Sequence, residues 1–115
     1  LWVAHEEDIN TVIAAAGSSP AYLFLFAEAM QAKTEALGLS AEDAKRLVAQ
    51  ALAGAGAMLL ANPDTDFGTL REQVTSKGGT TAQAIDYFNQ AQLADIIAGA
   101  MQAAVDRAVA MQSSM

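Results

Sequence analysis

Leu93, Ile96, Ile97, Ala100, Met101, Ala104, Val105 and Ala108 recur at spacings of three and four. That period puts them on one face of an α-helix. No stretch of any length alternates apolar and polar residues with period two, the mark of a half-buried strand. This pattern confines the chain to an all-α fold, and the helix breaks along it predict about six helices.

The breaks follow local chemistry. Glu6, Glu7 and Asp8 put acid at a helix start, which complements the helix dipole. Ile9, Val12 and Ile13 continue at helical spacing, and Gly17 is expected to stop this first helix. Ser18 and Ser19 are candidate N-caps for the next, with Pro20 in a first turn where its missing N–H is not needed. That helix is expected to run to about Leu37 and end at Gly38. Its opening, Tyr22-Leu23-Phe24-Leu25-Phe26, is apolar on every face, which predicts a helix buried all round.

Ser40 is placed to cap a third helix, with Glu42 and Asp43 in its first turn. Leu47, Val48, Ala51, Leu52, Ala55, Met58 and Leu59 form its apolar stripe. Gly54 and Gly56 each cost such a helix about 1 kcal/mol relative to alanine, which predicts close packing against another helix. Asn62-Pro63-Asp64 ends it. Asp66 is placed to cap a short helix bearing Leu70 and Val74. Two more helices are expected, from Ala82 to Gln90 and from Leu93 to about Met111.

A chain of 115 residues suits one compact domain, here residues 1–115. A monomer of that size buries only roughly two-thirds of its unfolded surface. With 53% hydrophobic residues, apolar surface should remain exposed unless a partner covers it. We therefore expect a homodimer or a larger homo-oligomer, with the helices from Pro20 and Leu93 at the interface. A net charge of −7 argues against nucleic acid and against an anionic membrane surface. The absence of cysteine excludes disulfides and thiolate chemistry. The uncharged stretch from Ile9 to Ala27 is interrupted by Gly17-Ser18-Ser19-Pro20, so it is not expected to form one membrane-spanning helix. No signal-peptide pattern is visible, and the cytoplasm is the default location. The chain opens on Leu1-Trp2-Val3, as expected of a fragment of a longer protein.

His5, beside acids near the terminus, reads as a surface residue. No His and carboxylate cluster has metal-ligand spacing, and Glu6-Glu7-Asp8 reads as a helix start. Ser18 and Ser19 have no base nearby in sequence, and the Phe and Met residues read as core. The stretch that calls for more is "SKGGTTAQAI", Ser76 to Ile85. Gly78 and Gly79 offer no side chain to an approaching group. Thr80 and Thr81 open a helix whose first N–H groups lack intrahelical partners and whose dipole is positive there. Lys77 adds a cation, and Arg71 lies one short helix upstream. This arrangement suits phosphate or carboxylate. A plain Gly-Gly turn followed by a Thr cap would look the same.

Three stretches resemble one enzyme family. "GSSPAY", Gly17 to Tyr22, is similar to that family's Gly-Ser-Gly-Pro-Ala-Tyr. "LGLSAEDAKRLVAQALAGAGAMLL", Leu37 to Leu60, is similar to its long central helix and the turn before it. "LREQVTSKGGTTAQAI", Leu70 to Ile85, is similar to its signature of a Thr-Ser or Ser-Ser pair and a Gly-Gly before a helix. On these the chain resembles, over nearly all its length, the C-terminal domain of pyrroline-5-carboxylate reductase.

The resemblance implies an all-α dimerisation domain that follows an N-terminal Rossmann domain, with residues 1–4 as the exit of that cofactor domain. It implies reduction of 1-pyrroline-5-carboxylate to L-proline with NAD(P)H, the last step of proline biosynthesis. It implies that Ser76, Gly78, Gly79, Thr80 and Thr81 bind the substrate, whose carboxylate meets backbone N–H groups, with Thr81 as the catalytic residue beside the substrate ring. Asp64 falls where some relatives carry an acid. Ser19 departs from the family's second glycine, and Lys77 from a common proline. No Gly-x-Gly-x-x-Gly follows a strand, so no cofactor or metal is expected on these residues and the fragment alone should be inactive. The alternative is an all-α homodimerisation module with no ligand, which has no need of the Gly-Gly-Thr-Thr helix start.

Overall fold

The computed structural model of the chain describes residue 5 and residues 8–113. The proposed domain exit at residues 1–4 and the acids Glu6 and Glu7 lie outside the described residues. All regular structure among the described residues is helical. It comprises α1 (Asp8–Val12), a π-helical turn (Ile13–Gly17), α2 (Ser19–Ala36), α3 (Ala41–Ala61), α4 (Phe67–Gln73), α5 (Thr80–Gln90) and α6 (Leu93–Ser113). The all-α reading stands, and the six α-helices fall where the apolar spacing put them.

The caps explain most of the boundaries. At the end of α2, Leu39 N–H donates to Thr34 C=O at 3.4 Å and Gly38 N–H to Glu35 C=O at 2.9 Å. These two bonds make a Schellman close, and Gly38 supplies the left-handed residue it requires, at φ +117°. Ser40 Oγ accepts from Asp43 N–H at 3.1 Å to start α3. Asp66 Oδ1 accepts from Thr69 N–H at 2.7 Å to start α4. Asn62 stops α3, its amide donating to Met58 C=O at 2.8 Å.

Gly17 does not stop the first helix. The chain instead widens into the π turn, Ser18 N–H donating to Ile13 C=O at 2.7 Å, and Ser18 keeps helical dihedrals at φ −92°, ψ −24°. Ser18 and Ser19 therefore do not act as side-chain caps: Ser18 closes the π turn and Ser19 is already inside α2. Pro20 is tolerated because the hydrogen-bond ladder is reset at this point, with Ala21 N–H returning to Ser18 C=O at 3.1 Å. The helical run from Asp8 to Ala36 is 29 residues long and contains an 18-residue window with a mean hydropathy of 1.4, so by length and composition it is able to cross a membrane. This corrects the expectation that the Gly-Ser-Ser-Pro break forbids it. Length alone does not distinguish a span from a helix buried against protein.

The Cα positions group into two compact units, Leu1–Leu25 with Asn89–Met115, and Phe26–Phe88. In the first, α1 and the π turn pack on α6. Ala14 is buried there, and Asn10, also buried, donates from Nδ2 to Gln112 Oε1 at 3.3 Å. In the second, α4 packs on α3, and Ala44, Val48 and Leu70 are buried. Phe26 and Phe88 stack in a tilted pair with centroids 6.1 Å apart.

The apolar opening of α2 is not buried within this chain. Phe24 and Leu25 are each 69% exposed and Leu23 is 55% exposed. Nor does the chain supply the helix expected against Gly54 and Gly56, since a Cβ built at either meets no atom within 4 Å. Both expectations assumed a neighbour, and the described residues of one copy do not supply it.

The caps lead to a prediction. At fixed chain concentration, Ser40→Ala should cost about 1 kcal/mol of stability by urea unfolding. Thr69, through its side chain and its N–H, and then the Arg71 charge hold the Asp66 carboxyl below its ordinary pKa. A lowered folded-state pKa gives stability that is full above the unfolded value and lost as pH falls through the folded one. Asp66→Asn should therefore flatten part of the stability loss below about pH 4.

Candidate functional site

The stretch between α4 and α5 is built by successive turns. Val74 N–H returns to Arg71 C=O at 3.2 Å, and Thr75 Oγ1 donates to the same carbonyl at 2.6 Å. Ser76 to Gly79 then forms a β-turn, closed by Gly79 N–H donating to Ser76 C=O at 3.0 Å. Gly78, its third residue, has φ +75°, as a type II turn requires. Lys77 holds the second position, where proline is favoured for its preset φ.

This geometry answers why two glycines stand here. The left-handed residue is Gly78, not Gly79. Gly79 is small for a different reason: a Cβ there would lie 3.2 Å from Ser76 O, the acceptor that closes the turn. Each glycine thus has a reason inside the backbone itself, and close approach by a ligand is not needed to explain them.

The helix start does offer donors. Gly79 C=O accepts from Gln83 N–H at 3.2 Å, so Gly79 is the N-cap and Thr80, Thr81 and Ala82 are the first three residues of α5. Among the described residues, no backbone or side-chain acceptor takes up their N–H groups. Thr80 and Thr81 are exposed, as are Ser76 and Gly78, while Gly79 is half-buried. Lys77 has no ion pair among the described residues, and Arg71 reaches Glu72 only at 4.0 Å with both side chains exposed. Three free N–H groups, the positive end of an eleven-residue helix and an unpaired cation converge on one short segment. The chemistry this supports is anion binding.

The five site residues read from the sequence are contiguous in space because they are contiguous in the chain. Asp64 is exposed in the α3–α4 connection, and no hydrogen bond joins it to the Ser76–Thr81 segment among the described residues. His5 is exposed. Among the described residues no group of three His, Asp or Glu side chains is arranged to hold a metal.

One feature was not foreseen as a cavity. An open hollow of about 180 Å³ lies against α3 and α4, lined by Ala55, Met58, Leu59, Phe67, Leu70, Arg71 and Val74. Its lining is apolar but for Arg71, and it contains no nucleophile or proton donor suited to catalysis. Its apolar liners were visible in the sequence as two separate helical stripes, but the juxtaposition of those stripes was not.

The chain was compared with known proteins. The family model for pyrroline-5-carboxylate reductase dimerisation matches residues 6–111. A pyrroline-5-carboxylate reductase of Vibrio alginolyticus is 60% identical over 111 residues, which are 96% of this chain and 41% of that protein. A solved pyrroline-5-carboxylate reductase from Coxiella burnetii superposes with a TM-score of 0.89 at 42% identity, over 94% of this chain and 40% of the other. The Plasmodium falciparum pyrroline carboxylate reductase, solved with NADP bound, superposes with a TM-score of 0.86 at 30% identity, over 93% and 40%. The chain thus spans about 40% of the length of these relatives. With a match that takes in the helix-start turn and every described helix, this chain belongs to the pyrroline-5-carboxylate reductase dimerisation family.

Proposed function

We propose that residues 1–115 are one domain that supplies the substrate-carboxylate site and the homodimer interface of a cytoplasmic reductase. The reaction is reduction of 1-pyrroline-5-carboxylate to L-proline with NAD(P)H. The observation that carries this reading is a coincidence in one turn. The segment that resembles the family signature is also the segment with three unbonded N–H groups and an unpaired lysine.

The carboxylate of the cyclic imine would accept charge-assisted hydrogen bonds from the N–H groups of Thr80, Thr81 and Ala82. Such bonds fix the position and orientation of the ring, and orientation is a large part of what an enzyme contributes to hydride transfer. The Thr81 hydroxyl would hydrogen-bond the ring nitrogen or a water beside it. A nicotinamide dinucleotide site needs a strand leading into a helix, and the described residues contain no strand. These residues do not fit that cofactor, so we assign to them substrate binding alone and expect this chain by itself to be inactive.

One observation favours a second reading, a dimerisation module with no ligand. The turn geometry accounts for Gly78 and Gly79 without any ligand. Substitutions of the N–H donors therefore discriminate better than Gly79→Ala, which also disturbs the turn. Proline is well tolerated at a first helical position and removes one donor. In the full-length reductase, Thr80→Pro should raise KM for the imine about tenfold or more, the worth of one hydrogen bond to a charged group, and leave the melting temperature unchanged. Thr81→Ala should lower kcat with the dimer intact. An unchanged KM in Thr80→Pro would favour the ligand-free module.

The turn itself yields a stability prediction independent of any ligand. Among the described residues, no hydrogen bond uses the N–H of Lys77. Lys77→Pro should therefore stabilise the protein by about 0.4–1 kcal/mol through the unfolded state. Gly78→Ala should destabilise it by about 1 kcal/mol, the strain of a left-handed alanine. Opposite signs in urea unfolding would check the turn type.

A further inference from the structure

We propose that the amide pair of Asn10 and Gln112 is a register pin. It fixes where along α6 the segment of α1 and the π turn docks, and it does so at a cost in stability. The pin lies within one copy of the chain, so it depends on neither the ligand nor the oligomer.

Among the described residues, Asn10 is the buried polar side chain, at 5% exposed. Its Nδ2 donates to Gln112 Oε1 at 3.3 Å, across 102 positions of sequence. Its Oδ1 is buried with no hydrogen-bond partner among the described residues. Turning the amide over would exchange which end is left alone and would not remove the cost. A buried acceptor without a partner forfeits the hydrogen bond it had with water. An apolar side chain at this position avoids that loss, so stability does not explain the asparagine.

Packing alone leaves the register open. The segment that docks on α6 buries Ala14, one turn on from Asn10. On α6, Met101, Ala104, Val105 and Ala108 are half-buried at spacings of three and four, and Gln112 stands at the next place of that stripe. Ala104 and Ala108 are one turn apart and alike. A slip of one turn, about 5.4 Å, therefore offers the π turn much the same apolar surface. The amide pair does not survive that slip. Asn10 would face Ala108 in place of Gln112, with both ends of its amide buried and unpartnered. The native register leaves one end alone and the slipped register leaves two, which favours the native one. A single buried asparagine fixes the register of a coiled coil by the same asymmetry.

The test uses the chain as it is. It has no cysteine, so spin labels attach only where cysteines are introduced. Thr11 on α1 and Ala98 on α6 are both exposed and are changed by Thr11→Cys and Ala98→Cys. Ala98 lies about 21 Å from Gln112 along the helix axis, so a slip of one turn changes the label separation by about 5 Å. The labelled chain is diluted with unlabelled chain, so that electron–electron double resonance reads distances within one copy. With Asn10 and Gln112 in place, one distance is expected. Asn10→Leu should give two, about 5 Å apart, with a urea midpoint equal to or above that of the unsubstituted pair. Asn10→Gln combined with Gln112→Asn keeps the amide pair and its combined length, and should restore the single distance. One unchanged distance in Asn10→Leu overturns the proposal, whichever way the midpoint moves. Two distances in the exchanged pair also overturn it. Should Asn10→Leu fail to fold, Gln112→Leu removes the same bond from an exposed position. A second distance in that variant supports the pin, and a single one overturns it.

Discussion

Long helices persist in water only when their apolar stripes are covered, and this constraint governs the whole chain. The two 21-residue helices α3 and α6, and the 18-residue α2, are well formed locally. Their caps and alanine-rich interiors favour helix. Yet the described residues bury chiefly small side chains and leave Leu23, Phe24, Leu25, Leu47, Ile96 and Ile97 largely in solvent. The hydrophobic effect that should hold these helices together is not spent within one copy.

The helix start shows how a single turn serves two ends. The bond from Gly79 N–H to Ser76 C=O closes the turn between α4 and α5. The same turn leaves the first three N–H groups of α5 without partners, as every helix start does unless something caps it. At α3 and α4 the caps Ser40 and Asp66 take up one such donor each. At α5 the N-cap is a glycine, which has no side chain to do so. A helix start left open, beside an unpaired lysine, is a different physical object from the capped starts of the same chain.

How much of this was legible in the sequence depended on range. Gly38, Ser40, Asn62 and Asp66 acted as read, because capping is settled by residues three to five apart. Gly17 did not, because the alternative to stopping a helix was a π turn, and whether the chain takes it depends on the packing of that segment on α6. The left-handed residue of the Gly-Gly pair was not assignable from composition, since either glycine is able to adopt a positive φ. The α3–α4 hollow was missed because it arises only when two stripes meet. The glycines at positions 54 and 56 were read as signs of a neighbouring helix, and no neighbour stands within 4 Å of either in one copy.

By itself, the amino-acid order determined the helical class, the helix ends that rest on local hydrogen bonds, and the Gly-Gly-Thr-Thr start of α5 that we propose as the anion site. These follow from a 3.6-residue period and from side chains that reach only their own backbone neighbours. The tertiary structure decided which glycine bends, that the helix runs on through Gly17, and that the apolar opening of α2 and part of the α6 face stay exposed. Those outcomes turn on contacts between residues far apart in the chain, or on contacts that one chain lacks, and neither is encoded at the spacing of a turn.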